Sequence, residues 1–284
     1  MFARLTTYAS FVRFSHSVFA LPFALVGALL ATRLVPFGWM RLVWIVACMV
    51  TARSAAMGFN RLVDAAFDAR NPRTAMRELP RGRMSVAEAR VFVVIASVAF
   101  VACAAQLGRA CLLLSPVALA IVFWYSLAKR HTTYTQLYLA LAMAVAPVGG
   151  WIAAGGPARA EPWILGLGIG AWVAGFDTLY ACQDLEFDRR EGLHSIPVRF
   201  GIARSLLIAR GMHVVAILAL AAVGAVAGLG WIYMAGVLVV AVLLVYEQSL
   251  VHADDLSQVK RAFDLNGWVG LLYLVTTAAD VYLR

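Results

Sequence analysis

Long apolar stretches alternate with short polar segments along almost the whole chain. Most stretches hold about 20 residues, the length at which a helix crosses the hydrocarbon core of a membrane. Alternation over segments of about ten residues, the pattern of membrane strands, is absent. Divided at charged residues and at Gly and Pro, the pattern predicts nine membrane-spanning helices, over residues 14–33, 40–60, 87–107, 109–128, 134–154, 162–182, 203–228, 231–251 and 264–283.

These helices leave no room for a soluble domain or a long linker. Only helices and closed barrels satisfy the backbone hydrogen bonds in lipid, so the pattern predicts one integral-membrane domain over residues 1–284, an all-α polytopic bundle. Of all residues, 63% are hydrophobic and 14% charged, and the mean hydropathy is +0.82. Soluble domains are about half apolar and a quarter charged. A soluble globular protein and a disordered chain are therefore excluded.

Most of the net charge of +9 lies at one side of the predicted bundle. Basic residues are concentrated in the N-terminus and in the segments 61–86, 129–133, 183–202 and 252–263, whereas the other side carries only Arg33, Arg41, Arg109, Arg159 and Arg284. Because Lys and Arg are enriched in cytoplasmic loops, we expect the first side to face the cytoplasm, in a bacterial inner membrane. The excess also suits anionic membrane lipid. No basic stripe interleaved with aromatics stands outside the apolar spans, so no nucleic-acid partner is expected.

A seven-residue acidic pattern occurs twice at the basic side. The pattern D-x-x-F-D-x-R covers residues 64–70 and again 184–190, each time after an apolar span. Asn60 precedes the first copy and Asp177 the second. On a helix, residues four apart differ by only about 40° around the axis. Asn60, Asp64 and Asp68 are therefore expected on one helix face, and so are Asp184 and Asp188.

Carboxylates placed this closely repel one another unless a cation joins them. Mg²⁺ is the natural candidate, because it is commonly held by a few carboxylates together with the oxygens of a phosphate substrate. Arginine grips phosphate through two parallel hydrogen bonds, and several basic residues lie near the acidic copies. The sequence therefore predicts a site for Mg²⁺ and a diphosphate, with phosphate contacts from Arg73, Arg77, Lys129 and Arg130.

The two motifs resemble those of the UbiA superfamily of intramembrane aromatic prenyltransferases. Residues 58–82 match its N-x-x-x-D-x-x-x-D…R-T-x-x-R-x-L-x-x-G signature, and residues 177–195 match D-x-x-Y-A-x-x-D-x-x-x-D…G-x-x-S. The resemblance implies nine helices around a central cavity and Mg²⁺-dependent transfer of a polyprenyl group from its diphosphate to an aromatic acceptor. It implies that Mg²⁺ and the diphosphate are held by Asn60, Asp64, Asp68, Asp184 and Asp188. Arg73, Lys129 and Arg130 would neutralise the leaving group, and Asp177 would position or activate the acceptor.

The identity of the acceptor stays open between two aromatic hydroxy acids. The run R-T-A-M-R-E-L-P and the pattern Y-A-C-Q-D-x-E-F-D resemble the menaquinone branch that acts on 1,4-dihydroxy-6-naphthoate. The general resemblance is to enzymes of ubiquinone biosynthesis that act on 4-hydroxybenzoate. Some positions depart from the common family pattern, among them Arg61 and Glu78. Both acceptors carry a carboxylate, for which Arg53 and Arg13 are the candidate cations inside the bundle.

Aromatic residues near the motifs are candidates for a cavity wall that stabilises an allylic cation. They are Phe19, Trp124, Tyr125 and Tyr180. Asn266 in the last span is a further likeness to the family and a candidate substrate contact. Two alternatives remain: prenylation of another acceptor within the superfamily, and a non-enzymatic cation channel or transporter. A cation path favours charges near the bilayer midplane, whereas these acids cluster at one face beside arginines.

Overall fold

The computed structural model describes residues 8, 10 and 11 and residues 20–283. Between residues 20 and 283 the structure consists of α-helices, one short 3₁₀ helix and connecting segments, without a β-strand. In chain order the helices are α1 (Leu21–Thr32), α2 (Trp39–Arg70), α3 (Val86–Leu107), α4 (Arg109–Ala128), α5 (Thr135–Ala153), α6 (Glu161–Ala181), α7 (Leu185–Arg190), α8 (Ile196–Ala227), α9 (Trp231–Ser249) and α10 (Val259–Leu283). All except α7 correspond to predicted spans, and the predicted all-α fold is confirmed.

Within the described ranges, seven helical segments are long and apolar enough to cross a membrane. They are α2, α3, α4, α5, α8, α9 and the run Glu161–Arg190 that joins α6 to α7. The described part of α1 is only 12 residues long, and α10 is long but less apolar. Both still pack into the bundle, α1 against α5 and α10 against α9. Seven helical segments are thus long and apolar enough to span a membrane. Together with α1 and α10 they account for the nine predicted spans.

The polar motifs change where several helices begin and end. Helix α2 does not end at residue 60 as predicted but continues to Arg70, so the whole first acidic copy is helical. Helix α8 begins at Ile196 and not at 203; Ser195 caps it, and Gly201 (φ 75°) interrupts its helical geometry. Helix α10 begins at Val259 and not at 264. The boundary of the second span is predicted where hydrophobicity falls, whereas α2 continues through acids that have partners.

The second acidic copy does not simply extend α6. Helix α6 ends at Ala181, a 3₁₀ turn covers Cys182–Asp184, and α7 follows. Asp184 is the last residue of the 3₁₀ turn, and Asp188 lies on α7. The expectation of one regular helix running through both acids is therefore wrong. The run Glu161–Arg190, which contains this turn, is the most buried of the spanning segments.

Close backbone contact joins α1 to α5. A Cβ added at Gly27 would lie 2.0 Å from the carbonyl oxygen of Pro147, and one added at Gly150 would lie 2.0 Å from that of Ala24. Such small-residue contacts let helices approach closely in membranes. A second constraint ties α10 to α9, because the buried Asp280 accepts hydrogen bonds from the backbone N–H groups of Gly230 and Tyr233. These contacts fix the scaffold that holds the site.

Candidate active site

The acids of the first copy are buried at the end of α2. Asp64 is 4% exposed and Asp68 6%. Asp64 accepts a hydrogen bond from Asn60 Nδ2 at 3.3 Å, one helical turn earlier. It also pairs with two cations that follow α4: Arg130 Nη2 lies 2.8 Å from Oδ1, and Lys129 Nζ lies 3.1 Å from Oδ2. The predicted shared face is helical, and its Asp64 is neutralised by the segment that follows α4.

Asp68 is paired within its own segment. Arg77 Nη1 lies 2.7 Å from Oδ1 and 2.8 Å from Oδ2 of Asp68. The connecting turn is held by two further hydrogen bonds: Thr74 Oγ1 donates to the backbone oxygen of Asp68 at 3.1 Å, and the backbone N–H of Arg73 donates to Asn71 Oδ1 at 2.9 Å. The R-T-x-x-R run thus folds back onto the helix end and places its arginines over the acids.

Two arginines, Arg70 at the end of the first copy and Arg73 just after it, contact residues in and next to the second copy. Arg73 Nη1 donates to Asp184 Oδ1 at 2.7 Å, and Nη2 donates to the Tyr180 hydroxyl at 3.1 Å. The same guanidinium lies 5.1 Å from the centre of the Tyr180 ring. Arg70 forms an ion pair with Glu191 Oε2 at 2.6 Å. The two acidic copies, 120 residues apart in sequence, therefore meet at one end of the bundle.

The segment after α4 joins the same cluster. The backbone N–H of His194 donates to the Lys129 carbonyl at 2.7 Å, and Asp188 is hydrogen-bonded to the Ser195 side chain. Phe67, the aromatic residue of the first copy, lies beneath three cations. Its ring centre is 5.1 Å from Arg70, 5.3 Å from Arg130 and 5.8 Å from Lys129. Phe67 and Glu191 are not among the predicted site residues; the Phe that recurs in D-x-x-F-D-x-R is the sequence signal for Phe67.

The cluster contains the carboxylates and cations that a magnesium–diphosphate site needs. Its side chains alone do not form a complete metal-binding site. In the part of the chain that the structure describes, no three His, Cys, Asp or Glu side chains are grouped to hold a metal. The five predicted ligands are thus spread along the cluster, and three of the acids pair with cations. Carboxylate oxygens suit Mg²⁺, which usually binds one or two of them together with substrate phosphates. The residues therefore fit a metal that arrives with its phosphate ligand.

A largely apolar cavity of about 700 Å³ lies beside the cluster. Its wall is formed mainly by α2, α3, α4, α5 and α6, and along α2 it extends from Asn60 to Ile45. Asn60 both lines the cavity and donates to Asp64, so it joins the cavity to the first acidic copy. Arg53 and Tyr125 add polar groups to an otherwise apolar wall. This arrangement brings a charged mouth and an apolar interior together.

The candidate acceptor contacts divide between the cavity and other places. Arg53 lines the cavity two helical turns from Asn60, and Tyr125 lines it as well. Tyr180 contacts Arg73 at the cluster. Neither Tyr180 nor Asp177 is part of the cavity lining. Arg13 and Phe19 lie outside the described residues.

Two further residues that were predicted to contact substrate, Trp124 and Asn266, lie outside the cavity wall. Trp124 is 50% exposed and faces outward. Asn266 is fully buried, but it accepts a hydrogen bond from Trp172 Nε1 at 2.7 Å and donates to Glu247 Oε1 at 2.9 Å. Both partners belong to neighbouring helices, and neither Asn266 nor Trp124 lines the cavity. The structure gives Asn266 a packing role between α6, α9 and α10, where a substrate contact was predicted.

Comparison with known proteins identifies the class. The model of the UbiA prenyltransferase family matches residues 20–272. A 4-hydroxybenzoate octaprenyltransferase of Pseudomonas aeruginosa is 31% identical over 237 residues, which are 83% of this chain and 79% of the relative. One of Pseudomonas putida is 30% identical over 238 residues, with the same coverage.

Solved structures show the same fold. The apo structure of a UbiA homologue from Aeropyrum pernix K1 has a TM-score of 0.86 and 35% identity, covering 94% of this chain and 98% of its own. A UbiA homologue from Archaeoglobus fulgidus, bound to GPP and Mg²⁺, has a TM-score of 0.72 at 19% identity and covers 97% and 99%. The chain is therefore an integral-membrane prenyltransferase. It belongs to the UbiA prenyltransferase family.

Proposed function

We propose that the chain transfers a polyprenyl group from its diphosphate to a ring carbon of an aromatic hydroxy acid, with Mg²⁺ as cofactor and 4-hydroxybenzoate as the first candidate acceptor. One observation carries this proposal: the two acidic copies and their cations meet beside Asn60, which donates to Asp64 and also lines an apolar cavity. The proposed prenyl donor has two matching parts, a charged diphosphate and an apolar chain. The names of the Pseudomonas relatives support the choice of 4-hydroxybenzoate.

In this proposal the diphosphate binds by exchanging partners with the ion pairs. Arg73, Arg77, Lys129 and Arg130 turn from the carboxylates to the phosphate oxygens, where arginine binds through paired hydrogen bonds. The three released acids would then hold Mg²⁺ together with Asn60 and Asp188. The released acids are Asp64, Asp68 and Asp184. Bound Mg²⁺ supplies positive charge that polarises the diphosphate as a Lewis acid. The Archaeoglobus homologue that binds GPP and Mg²⁺ is in line with this assignment.

Bond breakage separates charge across the cavity mouth. As the bond between the prenyl carbon and the diphosphate oxygen breaks, the electron pair leaves with the diphosphate, and the surrounding cations stabilise it where it develops. The prenyl fragment becomes an allylic cation inside a wall from which water is excluded. The Tyr125 ring faces this space as a cavity residue, and an aromatic face stabilises a cation.

The acceptor is held between Arg53 and Asp177. Arg53 is the candidate partner for its carboxylate, with Arg13 as the second candidate. Asp177 orients the phenol hydroxyl by accepting its hydrogen bond. The ring carbon beside the phenol attacks the cation and forms the new carbon–carbon bond. The proton lost from that carbon passes to the Asp177 carboxylate, and aromaticity is restored. The carboxylate of the acceptor remains in the product.

A matrix of substrates tests this function. Membranes that contain the protein are supplied with prenyl diphosphates of several lengths and with 4-hydroxybenzoate or 1,4-dihydroxy-6-naphthoate, and products are analysed by mass spectrometry. We expect Mg²⁺-dependent formation of a prenylated acid that keeps its carboxylate. The motifs shared with the menaquinone branch make the naphthoate the second candidate. Diphosphate release with neither acceptor, or ion flux without diphosphate release, would contradict the proposal.

A further inference from the structure

One glycine of the cavity wall has no packing reason to be glycine. Four glycines line the cavity, and three of them contact another helix closely. A Cβ at Gly150 would lie 2.0 Å from the carbonyl oxygen of Ala24, and one at Gly166 or Gly170 would lie 3.3 or 3.2 Å from a backbone oxygen of α5. A Cβ at Gly149 would meet no atom within 4 Å.

Backbone geometry does not require glycine at position 149 either. Gly149 lies inside α5 and is not among the glycines with positive φ. Glycine inside a helix is unfavourable relative to alanine, because it loses more conformational freedom on folding. The open space in front of Gly149 is therefore the feature of the structure that distinguishes it from the other three.

Gly149 lies far from the charged mouth. It is 14 residues after Thr135, where α5 begins beside the segment of Lys129 and Arg130, and this corresponds to about 21 Å along a helix. On the opposite wall the cavity extends a similar distance along α2, from Asn60 to Ile45. With carbon–carbon bonds of about 1.5 Å, the chain of geranyl diphosphate spans only about 10 Å. Only a longer prenyl chain reaches the level of Gly149.

We propose that Gly149 is a specificity-determining residue, whose missing side chain lets the distal part of a long prenyl chain pass this level of the cavity. The inference rests on the proposed function, since it assigns the apolar cavity to the prenyl chain. A side chain at position 149 would occupy the space in front of α5 without displacing a neighbouring helix. It would obstruct a long chain and leave a short one unaffected.

The test compares chain lengths in Gly149→Leu. With the acceptor that the wild-type protein uses, we expect kcat/KM for octaprenyl diphosphate to fall about tenfold or more. A change of a few carbons in an apolar pocket has an effect of this size. The value for geranyl diphosphate should stay within about twofold. Gly211→Leu on α8 is the matched control, because Gly211 is exposed, does not line the cavity and also has open space at its Cβ. It should change neither value.

The outcomes separate this inference from the function on which it rests. Equal loss with both diphosphates, or no loss with either, overturns the role of Gly149 while wild-type turnover leaves the proposed function intact. Wild-type membranes without turnover on any prenyl diphosphate overturn the proposed function and the inference together. If Gly149→Leu fails to fold, Gly149→Ala and Gly149→Val are compared instead. They must show a graded loss that is confined to the longer chains.

Discussion

At the residue scale, a substitution of Asp184 can distinguish a loss of catalysis from misfolding. Its side chain is 26% exposed and its ion-pair partner is Arg73, so Asp184→Asn leaves no deeply buried charge. We expect the variant to fold and to lose about 100-fold or more in turnover, the effect of removing one stabilising group from a charged transition state. Asp264→Asn, at an exposed pair with Lys260, is the control and should retain activity. Near-normal turnover of Asp184→Asn, in protein with an unchanged melting temperature, would contradict its role.

Arg53 offers a second prediction at this scale. If its guanidinium binds the acceptor carboxylate, Arg53→Gln removes a charged hydrogen bond worth about 1.5–3 kcal/mol, so the KM for the acceptor should rise about tenfold or more. The KM for prenyl diphosphate should not change, because the proposed diphosphate site is the acidic cluster beyond Asn60, and Asn60 itself is two helical turns from Arg53. A phenol without a carboxylate serves as the internal control and should be used equally by both proteins. A rise in KM for the acid and for the phenol without a carboxylate alike would show that Arg53 does not bind the carboxylate.

The sequence predicted the charged residues of the site better than their partners. The repeated spacing identified Asp64 and Asp184 because a pattern of seven positions recurs at two span ends. It did not reveal that Lys129 and Arg130 both reach Asp64, or that Phe67 lies under both cations. Those contacts join segments that are more than 60 residues apart, and helical periodicity carries no information on such distances.

At the element scale, the crossing of α1 and α5 depends on glycine. Gly150→Val introduces a side chain where the carbonyl oxygen of Ala24 already lies, so the helices must separate. We expect a destabilisation of at least about 1–3 kcal/mol, typical of overpacking, seen as a lower melting temperature in detergent. Gly149→Ala on the same helix meets open space and should melt at or above the wild-type temperature. Equal melting temperatures for Gly150→Val and wild type would rule out this tight crossing.

Helix boundaries show why hydrophobicity alone was insufficient. The prediction ended the second span at residue 60, where the chain becomes polar, but α2 continues to Arg70. The continuation is stable because Asp64 is neutralised by Arg130 from another segment and Asp68 by Arg77 from the turn that follows α2. Similarly, α8 begins at Ile196, before the interruption at Gly201, whereas the predicted helix begins after that glycine, at residue 203. Local sequence reports the apolar length of a helix, and tertiary partners decide how far it extends.

At the scale of the whole molecule, the bundle was predictable and the cavity was not. Nine apolar segments of membrane length were sufficient to predict an all-helical bundle. The cavity depends on which side chains of α2 to α6 leave space between them, as Gly149 does and Gly150 does not. Both are glycines of one helix, adjacent in sequence, and only the packed structure distinguishes them.

The orientation of the bundle is the last prediction, and it belongs to the molecule as a whole. The site and most basic loops lie at one end of the helices, which the positive-inside rule assigns to the cytoplasm. Arg189→Cys on α7 and Arg109→Cys at the start of α4 place a thiol at opposite ends, both at exposed positions. In intact bacterial cells whose outer membrane has been made permeable, an impermeant maleimide should label Arg109→Cys only, measured above the wild-type background of four native cysteines. Labelling of Arg189→Cys should require disruption of the inner membrane, and the reverse pattern would place the site outside the cytoplasm.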